Sequence, residues 1–195
     1  MTLGQAGLGR VAVFCGGSGA AKPAHKEAAA AVGQLLARRG IGLVYGGGRV
    51  GLMGVLADAA LAEGGMVTGV MPGHLVAREI AHTRIQDLRV VGSMLERKAL
   101  MAELSDAFLA LPGGFGTLDE LFEMLTWSQI GLQAKPSALL NVDGFWDPLL
   151  AWVARAVEDG LLRPAHAQLL LAGDDPGELL DRLTAWRAPE MPALV

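Results

Sequence analysis

A single cysteine, Cys15, is all the thiol this 195-residue chain contains, so no disulfide can form within it and nothing in it asks for an oxidising compartment. A cytoplasmic location is expected. Long apolar runs are missing too. Although 52% of the residues are hydrophobic and the mean hydropathy is +0.38, charges and glycines interrupt every run before the roughly 18 residues a membrane span needs. No membrane partner is expected. The first ten residues, MTLGQAGLGR, lack a charged region followed by an apolar core, so no secretory signal is read there. The four histidines, at 25, 74, 82 and 166, form no HExxH pattern and have no cysteine partners, which leaves a metal centre without support. The net charge of −4, with basic residues scattered, offers no general attraction to nucleic acid. Any phosphate must be held by local dipoles and one or two cations.

What the chain does have is an alternation of apolar runs with helical patterns from end to end. Its length fits one domain over residues 1–195, against a loose prior of about 150 residues each. Val11 to Cys15, Gly42 to Tyr45, Met66 to Met71, Ala107 to Leu111 and Ser137 to Asn141 read as strands, each too continuously apolar to be half exposed. Helical patterns cover Pro23 to Arg38, Leu52 to Glu63, Ser93 to Leu104, Leu118 to Ile130, Phe145 to Glu158 and Pro176 to Trp186. Such alternation predicts a Rossmann-like α/β fold, a doubly wound parallel sheet with helices on both faces and ligands beyond the carboxyl ends of the strands. Pro72 to Gly92 shows no clear period and is expected to be a long irregular segment, which in a compact domain is often functional.

Three times a strand runs into a glycine loop: Gly16-Gly17-Ser18-Gly19, Gly46-Gly47-Gly48 with Gly51, and Gly113-Gly114-Phe115-Gly116. The second satisfies GxGxxG spacing, but no acidic residue stands about 20 residues later to hold a dinucleotide ribose. An NAD site is therefore not expected. The third loop, within DAFLALPGGFGTLDE, says the most. Phe108 to Leu111 suits a buried strand, Pro112 ends it, and Thr117 with Glu120 reads as a capping box opening the next helix. Free backbone N–H groups and the positive end of a helix dipole meet at such a junction, which suits a phosphate. Glu120, one turn into the helix, would repel that anion unless it faced another part of the ligand. Tight turns and close helix packing are the structural alternative for all three loops.

Another constellation is SMLERKALMAEL. Ser93 and Glu96 form an S-x-x-E capping box. Met94, Arg97, Met101 and Leu104 are spaced three, four and three apart, so Arg97 shares a face with apolar residues and needs an anionic or polar partner. That partner is either a ligand or a salt bridge to Glu120 or Asp119. Lys98 is either a pocket residue or a solvated lysine. Ser18 suits a phosphate or a turn cap, Glu79 ligand hydroxyls or the surface, and Thr126 is placed facing the pocket below Gly116.

These motifs carry a resemblance. PGGFGTLDE, with SMLERKA before it and VYGGGRVGLMG from Val44 to Gly54, resembles the Lonely Guy family of cytokinin-activating phosphoribohydrolases, whose pattern is PGGxGTxxE. The likeness runs from about Val11 to Glu158 and includes TWSQIG, KPSALLNVDGFWD and an Arg-Glu-Ile-Ala-His segment at 78–82. It implies hydrolysis of the N-glycosidic bond of cytokinin riboside 5′-monophosphates, and possibly of AMP, releasing the free base and ribose 5-phosphate without a cofactor. Gly113, Gly114, Gly116 and Thr117 would then bind the 5′-phosphate, and Glu79 and Glu120 would face the ribose. Arg97 and Lys98 would complete the pocket, and Met94 would cover the base. Glu120 and Arg97 are the expected catalytic pair. A homodimer is implied as well. Leu95 stands where the family usually has histidine, TRIQDL replaces the usual GLTEL region, and CGGSGAAKPAH departs from CGSSSG. A non-catalytic nucleotide sensor or carrier of the same architecture is the alternative. Members are often labelled lysine decarboxylases, but the sequence offers neither the length nor the residue set of a pyridoxal-phosphate enzyme.

Overall fold

Residues alternate between two faces along a strand, and in this protein both faces are covered, which is why its strands are apolar almost without interruption. The computed structural model describes residues 7–76 and 81–189. In β1, Arg10–Phe14, the side chains of Val11 and Val13 enter one core, while those of Ala12 and Phe14 enter the other. Beside it lie β2, Gly42–Tyr45, and β5, Ala107–Ala110. The further strands are β3, Val67–Pro72; β4, Asp87–Val91; β6, Ser137–Leu140; and β7, Leu170–Gly173. All pair in parallel, in the order β4-β3-β2-β1-β5-β6-β7. The expected Rossmann-like doubly wound sheet is what is found.

The helices are α1, Pro23–Arg38; α2, Gly51–Ala62; α3, Gly73–Val76; α4, Met94–Glu103; α5, Phe115–Gln129; α6, Asp147–Glu158; α7, Pro164–Ala167; and α8, Pro176–Ala185. Leu36 of α1, Leu56 of α2 and Leu179 of α8 fill the first core; Met101 of α4, Leu121 and Met124 of α5 and Trp146 fill the second. Proline at the first turn of α1, α6 and α8 supplies a preset φ where no N–H partner is needed.

Several expectations change. The segment expected to be irregular contains α3 and an edge strand, β4, whose Asp87, Leu88, Arg89 and Val90 are not fully buried and so show no apolar run. Two short elements, α7 and β7, were not expected at all. Thr117 does not cap α5: the helix starts at Phe115 with Gly114 as its N-cap, and Thr117 is a buried residue inside it. The Ser93 box does form. Ser93 Oγ accepts from the Glu96 N–H at 3.1 Å, and Glu96 reaches back to accept from the Gly92 N–H at 2.9 Å.

Candidate active site

The sheet order reverses direction at β1, so the chain leaves β1 and β5 on opposite sides and opens a crevice between their carboxyl ends. All three glycine loops meet there. The Gly16 N–H donates to the Pro112 carbonyl at 3.1 Å, and the Gly16 carbonyl accepts from the Leu52 N–H at 2.9 Å, tying the first loop to the third and the second. Between them lies a cavity of about 350 Å³, within the range of small-molecule sites. Val13 and Cys15 border it, as do Gly16, Gly17 and Ser18 of the first loop, Gly46 and Met53 of the second, and Gly114, Gly116 and Thr117 of the third. Arg97 and Glu120 complete the lining.

Gly114, the N-cap of α5, has no side chain to satisfy the helix's first N–H groups, and the first turn holds no acidic residue. A helix start of this kind suits an anion. The Thr117 side chain packs so tightly on Gly113 that a Cβ there would collide with its Oγ1, which explains the glycine immediately before the cap.

Arg97 and Glu120 come from different helices and meet at the cavity wall. Arg97 Nε donates to the Val70 carbonyl at 3.0 Å and Nη1 donates to Glu120 Oε1 at 2.7 Å. Only 9% of Arg97 and 6% of Glu120 is exposed. The guanidinium packs against the second loop, and a Cβ at Gly46 would strike its Nη2. Burial pushes the Glu120 carboxyl above the ordinary carboxylate range, against the opposing pull of Arg97. Such a carboxylate is costly to ionise and correspondingly strong as a partner for a cation or a proton. Cys15, at the cavity floor, is also raised, chiefly by burial and then by Glu120, so it stays a thiol rather than a nucleophile.

Of the residues singled out in the sequence, Ser18, Arg97, Gly114, Gly116, Thr117 and Glu120 share this cavity. Gly113 lies just behind it, on an adjoining cavity of about 160 Å³ that also meets Ser18 and His25. Three residues sit elsewhere. Thr126 lines a separate apolar cavity with Phe122 and Trp152, because six residues along a helix place it about 120° round the axis from Glu120. Met94, on the first turn of α4, is 40% exposed and does not border the cavity. Lys98 is not among the residues bordering the cavity and pairs with Asp119 at 3.0 Å and Glu123 at 2.9 Å. Burial works against its charge, but those hydrogen bonds outweigh it and hold the ammonium above its ordinary range. Glu79 falls outside the described residues. The Ala81–His82 end of its segment is pinned to the second glycine loop, since Ala81 bridges to Gly48 and the His82 N–H donates to the Gly47 carbonyl at 2.8 Å.

Val13 and Met53 were not marked from sequence, and Gly16, Gly17, Gly46 and Cys15 were noticed there without being assigned to the site. A signal for most of them existed: three strand-to-glycine turns in one parallel sheet must open on the same edge.

A sequence profile of the family described as "Possible lysine decarboxylase" matches residues 53–183. A probable cytokinin riboside 5′-monophosphate phosphoribohydrolase of Oryza sativa subsp. japonica is 48% identical over 92% of this chain and 79% of its own length. A cytokinin riboside 5′-monophosphate phosphoribohydrolase of Arabidopsis thaliana is 45% identical over 89% of this chain and 80% of its own. Among solved structures, the molybdenum cofactor binding protein of Rippkaea orientalis superposes with a TM-score of 0.70 at 24% identity, covering 90% of this chain and 95% of that one. At that identity the likeness is one of fold.

Proposed function

The chain belongs to the Lonely Guy family of cytokinin riboside 5′-monophosphate phosphoribohydrolases, and we propose that it hydrolyses the N-glycosidic bond of such monophosphates, with AMP as a candidate second substrate. One observation carries this reading. A carboxylate held by arginine borders the same cavity as an uncapped helix N-terminus, an arrangement that suits a phosphate at one end and a sugar at the other.

In this reading the 5′-phosphate rests on the N–H groups at Gly114, Gly116 and Thr117, with the Ser18 hydroxyl beside them and Gly113 shaping the turn. Breaking the bond at C1′ builds positive charge on the sugar, so Glu120 stabilises the transition state more than the ground state. Water adds at C1′ as the C1′–N bond breaks; one of its protons ends on the departing base and its hydroxyl stays on ribose 5-phosphate. Glu120 is the group placed to receive that proton first. Arg97 fixes one carboxylate oxygen and leaves the other for the ribose or the water.

The decarboxylase description finds no support in these residues. A Schiff-base lysine must be able to lose its proton, whereas Lys98 is held charged by two carboxylates. The reading takes the chain as one domain, acting in the cytoplasm as a homodimer. The dimer is supported by α6, whose Leu149, Leu150, Val153 and Val157 remain only partly buried and whose Trp152 is 55% exposed beside Phe122. No described helix is long and apolar enough to cross a membrane.

The test is incubation with isopentenyladenosine 5′-monophosphate, AMP and the matching nucleosides, followed by chromatography for free base. Base should appear from a monophosphate and at least about 100-fold more slowly from its nucleoside, because phosphate binding orients the sugar. Intact monophosphates with bound ligand in calorimetry would reverse the conclusion in favour of a binding protein.

A further inference from the structure

Arg97 and Lys98 are consecutive on α4, and they reach across to consecutive residues of α5. Arg97 takes Glu120 at 2.7 Å, while Lys98 lies 3.0 Å from Asp119 and, one turn further on, 2.9 Å from Glu123. Asp119 and Glu123 are four residues apart on one helix face, where two like charges repel unless a cation stands between them. The Lys98 side chain, 11% exposed, is that cation. The five groups comprise two cations and three carboxylates, leaving one net negative charge at the wall where Glu120 meets the cavity.

Resting on the reading above that Glu120 faces the sugar, we propose that Lys98 is a positioning residue that acts on the substrate only through Glu120. By bridging Asp119 and Glu123 it fixes the rotation of α5 against α4, and it offsets one of the two carboxylates flanking Glu120, so that the cluster as a whole presents a single net negative charge to the positive charge developing at C1′. Asp119 and Glu123 share this role. The family likeness on its own points to Lys98 as part of the pocket, but the cavity lining does not include it.

The two roles give opposite kinetics. In Lys98→Met, α5 loses its brace and three carboxylates crowd one arginine, so kcat should fall about 10–100-fold while KM stays within about threefold. The acid limb of the kcat/KM profile should climb, because the positive charge near Glu120 is gone. Lys98→Arg should restore kcat to within about fivefold. The deciding variant is the double Asp119→Asn/Glu123→Gln, which keeps the lysine and frees it. Positioning requires kcat to fall at least about tenfold there, with the acid limb moving down as two negative charges are lost.

A lysine that binds substrate would raise KM tenfold or more in Lys98→Met, leave the acid limb unmoved and lose nothing in the double variant; that pattern overturns the proposal. Should Lys98→Met fail to fold, the double variant and Lys98→Arg still decide between the two. Should the wild-type protein release no base from either monophosphate, the activity reading fails separately from the clamp. Carbon-13 titration of the labelled Glu120 carboxyl would then judge the clamp, which requires an upward shift in Lys98→Met or Lys98→Ala and is refuted by none.

Discussion

Two ion pairs in this protein have the same 2.7 Å length and opposite surroundings. Arg38 and Glu63 join the end of α1 to the end of α2 on the exposed surface, whereas Arg97 and Glu120 join α4 to α5 inside the wall of the cavity. Their carboxyls move in opposite directions. For Glu63 the hydrogen bond from Arg38 dominates and the value falls below the ordinary range; for Glu120 burial dominates and the value rises despite its arginine. Distance alone therefore says little about what a pair does. A surface pair is nearly neutral for stability, and a buried one commonly costs more in desolvation than its attraction returns. The fold keeps the costly pair where the cavity is, which is what a site needing a poised carboxylate requires.

The comparison is broken most severely by removing the buried arginine. Arg97→Met leaves Glu120 buried without its counter-charge, and kcat/KM for the monophosphate should fall about 10³-fold, roughly 4 kcal/mol of transition-state stabilisation. Thermal or denaturant unfolding should show a loss of about 3–5 kcal/mol. A variant as active as the parent would mean that Arg97 is only structural. Next comes Gly46→Ala, which removes neither charge but places a methyl group against the guanidinium. Displacement of the pair should lower kcat about 10–100-fold, and a structure of the variant should show Arg97 moved from the Val70 carbonyl.

A pH titration sharpens the contrast further. The raised value of Glu120 means that its neutral form favours the fold. Its contribution is complete below the ordinary carboxylate range and is lost as pH rises through the raised value. Glu63 runs the other way, contributing above the ordinary range and losing that contribution as pH falls through its lowered value. Urea midpoints measured from pH 3 to 8 should therefore lose their high-pH decline in Glu120→Gln and part of their acid sensitivity in Glu63→Gln. Identical shifts in both variants would erase the distinction. The smallest effect belongs to Arg38→Ala, which should leave turnover unchanged and move Tm by no more than about 2 °C, less still at 1 M salt.

Much of this was legible in the sequence, for identifiable reasons. Buried strands and amphipathic helices leave strong periods, so Gly42–Tyr45 and Pro23–Arg38 have the boundaries their patterns predict. The edge strand Asp87–Val91 was hidden because an edge need not be apolar, and Leu170–Gly173, at the opposite edge, because no turn residue separates its apolar run from the helix before it. At the site, proline, glycines and a helix onset marked the turn proposed to hold the phosphate, and the apolar face around Arg97 announced a buried partner. Thr117 was mistaken for the cap because the true one, Gly114, has no side chain to reveal it. The partners of Lys98 and the distance of Thr126 from the cavity depend on how two helices are rotated against each other, which spacing within either helix does not specify.

Everything turns on whether the Glu120 carboxylate works on the sugar while the glycine turn holds the phosphate. Single-turnover release of base from isopentenyladenosine 5′-monophosphate by Glu120→Gln, with calorimetry on the same preparation, separates the two tasks. Binding should stay within about fivefold of the parent while base release slows at least about 10³-fold. Undiminished release, or binding lost along with it, would contradict the assignment of Glu120 to the reacting carbon.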